Sequence, residues 1–181
     1  MAELPPPYER TVYTDMVVCV EEGVRVATLR YFARDGEFAR ALRAVTGAAL
    51  PQVLEAREIA EAQLLFAWRS PTETWCLTRS PVRLSRLASA LAGAADGCLV
   101  DLSGGLKVMR VTGARFPDLL CRLGGTGGVP QPGEARRSRL ADVPVLTLSL
   151  RAGEGWLVVD RGYLPHVQRW IHETLLDFAA A

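Results

Sequence analysis

The sequence lacks an excess of charge of either sign. Its 21 basic and 20 acidic residues leave a formal net charge of +1 over 181 residues. Proteins that bind DNA, RNA or anionic membranes carry a marked basic patch or stripe. Because the basic and acidic residues are nearly equal in number, the sequence predicts neither a nucleic-acid nor a membrane partner.

Long hydrophobic runs are also missing. The longest nearly uninterrupted apolar runs, 143–150 and 16–20, are much shorter than the roughly 20 residues that a membrane-spanning helix needs. The first residues, MAELPPPYER, contain no basic segment followed by an apolar one, which a secretion signal requires. We therefore expect a cytoplasmic protein.

Metal-ligand spacings are absent as well. The four cysteines form no CxxC pair; they are Cys19, Cys76, Cys98 and Cys121. His166 and His172 lie six residues apart, which on a helix directs them to different sides. The sequence thus predicts no zinc site, and we expect the cysteines to be buried free thiols.

What is present is an order of strand and helix patterns that occurs twice. Hydrophobic periodicity predicts strand, helix, strand, strand, helix and strand in the first half, at 24–32, 35–45, 64–68, 75–78, 80–91 and 98–102. The second half repeats this order from Leu106 onward, and Trp75 and Trp156 occupy the same place in each half. The predicted fold is α+β, with two ferredoxin-like βαββαβ halves side by side.

The domain boundaries follow from this repeat and from proline. Because Pro5, Pro6 and Pro7 favour an extended backbone that cannot donate to a sheet, residues 1–23 are predicted to be an N-terminal arm. Residues 24–181 then form the domain, with halves at 24–103 and 104–178.

A segment rich in glycine and proline, residues 124–144, is predicted to be a long loop between a helix and a strand. In or beside it lies the only basic cluster, formed by Arg136, Arg137 and Arg139. Arginine binds carboxylates and phosphates through its planar fork. The cluster could serve as an anion pocket, as an ion-pair patch at a subunit interface, or as a solvated loop edge.

The stretch DLSGG has the look of a glycine-rich binding loop. However, Asp101, Ser103, Gly104 and Gly105 lack the P-loop pattern and do not open a helix, so we predict a tight turn tied by the Asp101 side chain. For the four tryptophans, core packing is favoured over stacking on a pterin or flavin. No complete catalytic set can be assembled from the residues.

Three segments share a further pattern: CLVDLSGGLKVMRVTGARFPDLLCRLGG, PGEARRSRLADVPVLTLSL and GWLVVDRGYLPHVQRWI. They resemble the gamma subunit of heterotetrameric sarcosine oxidase and of related multisubunit N-methyl amino acid oxidoreductases. The resemblance implies a fold like the folate-binding domain of glycine-cleavage T-protein and the N-terminal domain of the tRNA-modification GTPase. The residues that fit the family pattern include Asp101, Ser103, Gly113, Gly133 and Arg136, with Gly104 and Gly105 completing the turn.

The resemblance also implies a role. A gamma chain is a non-catalytic structural subunit, and FAD, covalent FMN, NAD and tetrahydrofolate belong to the other subunits of the complex. The implied partners are alpha- and beta-type chains and a delta-type zinc subunit, and the interface candidates on this chain are Arg110, Arg136, Arg137 and Arg139. Two alternatives stay open: a folate-binding one-carbon protein related to aminomethyltransferase, and a subunit of a specialised biosynthetic amine oxidase.

Overall fold

The computed structural model describes residues 10–13 and 15–180 of the chain. In this range the chain has two antiparallel sheets and four α-helices. The predicted α+β fold class is therefore confirmed. It divides into two compact units. We call residues Gly23–Gly104 the central unit, and the described residues before and after them the terminal unit.

The strands, in chain order, are β1 Thr11–Val12, β2 Val17–Val20, β3 Arg25–Tyr31, β4 Ala56–Ile59, β5 Leu64–Ser70, β6 Glu73–Thr78, β7 Gly97–Asp101, β8 Leu106–Thr112, β9 Glu134–Leu140, β10 Val143–Arg151 and β11 Glu154–Asp160. The α-helices are α1 Glu37–Thr46, α2 Pro81–Leu91, α3 Phe116–Gly124 and α4 Leu164–Ala180. Short 3-10 helices occupy Thr126–Gly128 and Arg161–Tyr163. None of the described helices is both long and apolar enough to cross a membrane.

The central unit has a five-stranded sheet in the order β4-β5-β6-β3-β7, antiparallel throughout. The apolar sides of α1 and α2 pack on one face of it, where Phe38, Leu42 and Leu87 form a buried cluster with Leu29 and Phe66. Helix α2 begins as predicted, because the Ser80 side chain accepts a hydrogen bond from a backbone N–H of the first turn at 3.2 Å.

The terminal unit has a six-stranded sheet in the order β1-β2-β8-β11-β10-β9. Its core lies between this sheet and the helices α3 and α4. Phe116 and Leu120 of α3, with Val167 and Ile171 of α4, pack against strand residues such as Met109. Each helix presents apolar residues at spacings of three and four, which places them on one side.

The N-terminal segment differs from the arm predicted for residues 1–23. Within its described part, β1 and β2 form a hairpin, and β2 pairs with β8 so that Cys19 lies opposite Arg110. Residues 1–9, with the three prolines, lie outside the described range. Strand formation here depends on β8, which is distant in sequence, so a local pattern alone does not indicate it.

Two further differences have a common cause, and a third has its own. The loop prediction for residues 124–144 is wrong over β9, which pairs with β10 along its whole length, and β4 was not predicted at all. Both are edge strands with few apolar residues, so they give little periodic signal. The helix predicted from residue 35 begins at Glu37 instead, with Gly36 before it, and the carboxylate of Asp96 accepts the Phe38 N–H at 2.7 Å.

Candidate functional site

The turn after β7 is closed by Asp101 and Ser103. Asp101 Oδ1 accepts the Ser103 backbone N–H at 2.8 Å and the Ser103 hydroxyl at 2.5 Å. Ser103 Oγ also accepts the backbone N–H of Val26 at 3.1 Å, which connects the turn to β3. The side-chain to backbone hydrogen bond predicted for Asp101 is present, and the carboxylate is engaged inside the turn.

The ionisation of Asp101 reflects these contacts. Partial burial raises the pKa of this carboxyl, but the hydrogen bonds from Ser103 and the nearby guanidinium of Arg25 outweigh burial and hold the pKa below its ordinary value. The charged form is therefore the one that the turn stabilises.

Two of the predicted motif glycines are required by the backbone. Gly113 has a φ of +144°, and a Cβ there would lie 2.4 Å from the carbonyl oxygen of Asp15. Gly133 has a φ of +85°, a left-handed conformation that favours glycine. At Gly104, by contrast, an added Cβ would meet no atom within 4 Å. The carbonyl of Gly105, the first residue of the terminal unit after the central unit, accepts the backbone N–H of Arg161 at 2.8 Å.

The predicted arginine cluster lies on β9, the edge strand of the terminal sheet, and its members have different surroundings. Arg136 pairs with Glu134 at 2.8 Å. Arg139 donates to the backbone carbonyl of Asp142, and Arg137 is exposed. Successive strand residues point to opposite faces, so the three guanidinium groups do not converge on one pocket.

Glu134, the partner of Arg136, has a lowered pKa. A hydrogen bond from the backbone N–H of Gln131 and the Arg136 guanidinium both lower the pKa of Glu134, and together they outweigh the slight burial that raises it. The side chains of Arg136 and Glu134 are 30% and 27% exposed, so water still screens the pair and it contributes little to stability.

Arg110, the fourth predicted interface arginine, lies on β8 among internal partners. Its Nε donates to Glu154 at 3.1 Å, and its Nη1 lies 3.9 Å from a carboxylate oxygen of Glu21. The same oxygen of Glu154 accepts the indole N–H of Trp156 at 3.0 Å. Burial raises the pKa of Glu154, but the hydrogen bonds from Trp156 and Arg110 outweigh it and lower the pKa.

The central unit contains the same arrangement at an equivalent place. The indole N–H of Trp75 donates to Glu73, two residues before it, at 3.0 Å, and the Thr28 hydroxyl donates to the same oxygen at 2.9 Å. Thr28 lies opposite Trp75 in the sheet, as Arg110 lies opposite Trp156. The two units therefore share a carboxylate–indole pair at the start of a strand, and the repeated Glu-x-Trp spacing is the sequence signal that would have found it.

The tryptophans differ in exposure. Trp75 is buried and carries the guanidinium of Arg69 at 5.0 Å from its ring centre, whereas Trp68 and Trp156 are half-buried. The prediction of core packing is wrong for Trp170, which is 50% exposed. It lies on the outer side of α4, where nothing in the local apolar pattern marks it as a surface residue.

The cysteines are free thiols, but only Cys76 is fully buried. Burial raises the pKa of Cys76 to about 12. The prediction of buried thiols is wrong for Cys98 and Cys121, which are exposed. Among the described residues no group of three potential metal-ligating side chains occurs.

The two histidines have separate partners. His166 Nε2 lies 3.0 Å from the carbonyl oxygen of Ala141, and His172 Nδ1 lies 2.8 Å from the hydroxyl of Tyr13. Each contact holds α4 to a different connection of the terminal unit, which is a structural use of both side chains.

The central unit also contains an open cleft of about 440 Å³ at the end of its sheet where β7 begins. Arg30, Glu73 and Cys98 lie side by side there, one on each of three neighbouring strands. Phe32 and Asp96 complete its mouth. The carboxylates of Glu73 and Asp96 accept hydrogen bonds from their own unit, so the cleft offers the Arg30 guanidinium and an apolar ring to whatever contacts it.

Together, the two antiparallel sheets with helices packed on them define a two-unit α+β fold. The structure matches heterotetrameric sarcosine oxidase from Corynebacterium sp. U-96, solved with pyrrole 2-carboxylate, with a TM-score of 0.81 and 23% sequence identity. The match covers 92% of this chain and 86% of that chain.

A second match is the glycine cleavage system aminomethyltransferase T from Bartonella henselae, with a TM-score of 0.63 and 11% identity. It covers 88% of this chain but only 46% of the aminomethyltransferase chain. At these identities the similarity is one of fold. Comparison with protein-family models gives no match, and comparison with curated protein sequences gives none either.

Proposed function

We propose that this chain is a non-catalytic structural subunit of a multisubunit flavin-dependent oxidoreductase that acts on sarcosine or a related N-methyl amino acid. The observation that carries the proposal is the match to a chain of heterotetrameric sarcosine oxidase over 92% of this chain and 86% of that one. Because nearly the whole of both chains is aligned, a chain of this size and fold occurs as one component of such an assembly.

The surroundings of the charged residues support a structural role. The carboxylates of Asp101, Glu73 and Glu154 are each occupied by hydrogen bonds from within their own unit. A general acid or base has to be within hydrogen-bond reach of a substrate proton. Groups that already hold a turn or an indole in place are suited to support rather than to proton transfer.

The proposal includes the other members of the complex. Alpha- and beta-type chains would be the partners, and FAD, FMN, NAD and tetrahydrofolate would be bound by those larger chains; a delta-type zinc subunit is a further candidate. This chain would then contribute surfaces for assembly rather than cofactor ligands, in the cytoplasm of a bacterium.

We also propose that each unit is a ferredoxin-like half. The central unit supports this, because β5-β6-β3-β7 is the order that the connection of β3, α1, β5, β6, α2 and β7 produces in that fold, with β4 added at the edge. In the terminal unit, β8, α3, β10, β11 and α4 follow the same order. Its fourth strand would be β2, from the N-terminal segment.

An omission experiment tests the subunit role. The flavoprotein chains encoded beside this one would be expressed with and without it, and sarcosine oxidation and the yield of assembled flavoprotein would be measured. We expect both to depend on this chain. Oxidation of other secondary amines but not of sarcosine would assign the complex to a specialised biosynthetic oxidase, and full assembly and activity without this chain would overturn the proposal.

The similarity to an aminomethyltransferase favours one second candidate, a folate-binding protein of one-carbon metabolism. Tetrahydrofolate would be titrated into the purified chain while tryptophan fluorescence is followed. A pterin close to Trp68 or Trp156 should quench the emission. An unchanged spectrum up to millimolar ligand would remove this candidate.

A further inference from the structure

The outer edge of β7 is an open strand edge. In the sheet of the central unit β7 lies at one end of the order and pairs with β3 alone. The Asp96 carbonyl accepts the Phe32 N–H at 3.0 Å, and the Leu102 N–H donates to the Val26 carbonyl at 2.8 Å. Even-numbered residues therefore direct their backbone groups toward β3.

Backbone direction alternates along a strand, so the odd-numbered residues of β7 point the other way. Gly97, Leu99 and Asp101 direct their N–H and C=O groups to the outer edge. In the described part of the chain these backbone groups have no hydrogen-bond partner. Three consecutive donor–acceptor pairs are thus available to an added strand.

The other sheet edges of the described chain are protected, and β7 is not. Proteins protect open edges with short strands, charged side chains or a covering segment. β1 has two residues, β4 is short and carries Arg57 and Glu58, and β9 carries three arginines and is joined to α3 by the hydrogen bond from Ala141 N–H to the Leu123 carbonyl. The sequence of β7, GCLVD, has no basic residue and only one charge, at its end.

The side chains around this edge are apolar and exposed. Cys98 and Val100 point to the face opposite the helices, and Val100 is 45% exposed. Phe32, which follows β3 beside the start of β7, is 86% exposed. Burial of valine and phenylalanine side chains is favourable because it removes apolar surface from water, so this edge favours contact with an apolar partner segment.

The charge at the cleft indicates what that segment carries. Arg30 is exposed and has no partner among the described residues, and it lies opposite Cys98 of β7, whose side chain is short. A carboxylate on the incoming segment would satisfy it. In a second copy of this chain paired about Leu99, Val100 would lie opposite Cys98, and Arg30 would gain no opposite charge.

We propose that the outer edge of β7 docks an extended segment of a partner subunit, which adds a strand to the sheet, buries Phe32 and Val100, and places a carboxylate on Arg30. The proposal rests on the proposed function, since it names the surface through which this chain joins its complex. Strand addition supplies affinity through main-chain hydrogen bonds and specificity through alternate side chains.

Lysine substitution at the edge tests this. The complex would be formed by co-expression of the full chain with the flavoprotein chains, and the affinity of each variant would be measured by titration. We expect Val100→Lys to weaken association at least about tenfold, which corresponds to about 1.4 kcal/mol. Val82→Lys, at a valine of α2 that is 57% exposed, is the matched control and should bind as the unsubstituted chain does.

Charge reversal supplies a second, independent variant. Arg30→Glu should weaken association by a similar factor, because it would repel the carboxylate of the partner. Arg86→Glu, at an exposed arginine of α2, is its control. Thermal melting of all four variants would establish that each keeps its fold.

The outcomes separate this proposal from the proposed function. Undiminished binding by both Val100→Lys and Arg30→Glu, with the complex intact, would overturn the docking edge and leave the subunit role standing. A chain that forms homodimers which Val100→Lys abolishes would show that a second copy occupies the edge. If the unsubstituted chain joins no flavoprotein complex, both proposals are overturned.

Discussion

Gly155 of β11 lies directly under the ring of Phe116, the first residue of α3. A Cβ at position 155 would lie 1.8 Å from the Phe116 Cζ and 2.2 and 2.4 Å from the two Cε atoms. Nonbonded carbon atoms need about 3.5–4.0 Å, so the ring would have to move by roughly 2 Å. Phe116 is 2% exposed and packed among buried residues of the terminal core, so it has no free space to enter.

We therefore expect Gly155→Ala to destabilise the terminal unit strongly. Overpacking of a filled core costs about 1–3 kcal/mol and occasionally more, whereas alanine in a strand otherwise gains about 0.5–1 kcal/mol over glycine. Since the clash involves three ring atoms, we place the net loss near 2 kcal/mol. At about 2–4 °C per kcal/mol for a chain of this length, Tm should fall by roughly 4–8 °C.

Gly104→Ala is the matched control, because nothing lies within 4 Å of its added Cβ. We expect its Tm to stay within about 2 °C of the unsubstituted chain, the size of ordinary surface effects. Differential scanning calorimetry is the assay, since it separates the transitions of two units if they unfold independently.

A double substitution then identifies the cause. Phe116→Leu removes the ring that the new methyl group meets, so Gly155→Ala should cost less in that background, with a coupling of at least about 0.5 kcal/mol. Equal melting of Gly155→Ala and Gly104→Ala, or strict additivity in the double variant, would refute the packing of β11 under α3.

Three other substitutions or reactions test local features of the structure. Asp101→Asn should lower the free energy of unfolding at neutral pH by at most about 1 kcal/mol, because the carboxylate is exposed. The folded-state pKa of Asp101 is lowered, so its contribution to stability is present above the unfolded pKa and is lost as pH falls through the folded pKa. The urea midpoints of the variant and the unsubstituted chain should therefore converge on acidification. Ser80→Ala should cost about 1 kcal/mol through loss of the α2 cap, whereas Ser85→Ala, on the exposed side of the same helix, should not lower the urea midpoint, because alanine favours a helix more than serine does. Native alkylation followed by mass spectrometry should label Cys98 rapidly and spare Cys76, whose burial raises its pKa to about 12; equal labelling of both would contradict the burial of Cys76.

Local patterns predicted those parts of the fold whose cause lies within a few residues. The start of α2 follows from Ser80 and Pro81, which cap and open a helix without help from elsewhere. The Asp101–Ser103 turn is similarly local, since the two residues lie two positions apart in sequence. The hydrogen bonds that cap α2 and close the turn join residues only three and two positions apart.

The features that were missed depend on distant partners. The cap of α1 comes from Asp96, which is 58 positions from the N–H that it accepts, and β2 becomes a strand because β8 is beside it. The glycines and prolines of residues 124–144 suggested a loop, and β9 gave no opposing signal because an edge strand needs few apolar residues. The pairing of Arg110 with Glu154 joins residues 44 positions apart, so the spacing of residues in the sequence could not predict it.

The subunit role is the central claim, and size-exclusion chromatography with flavin absorbance tests it most directly. The tagged full chain would be co-expressed with the flavoprotein chains encoded beside it and purified through its own tag. We expect it to elute in one large complex that carries flavin, in keeping with its similarity to a chain of heterotetrameric sarcosine oxidase. Elution of this chain alone and colourless, with the flavoprotein chains soluble in other fractions, would contradict it.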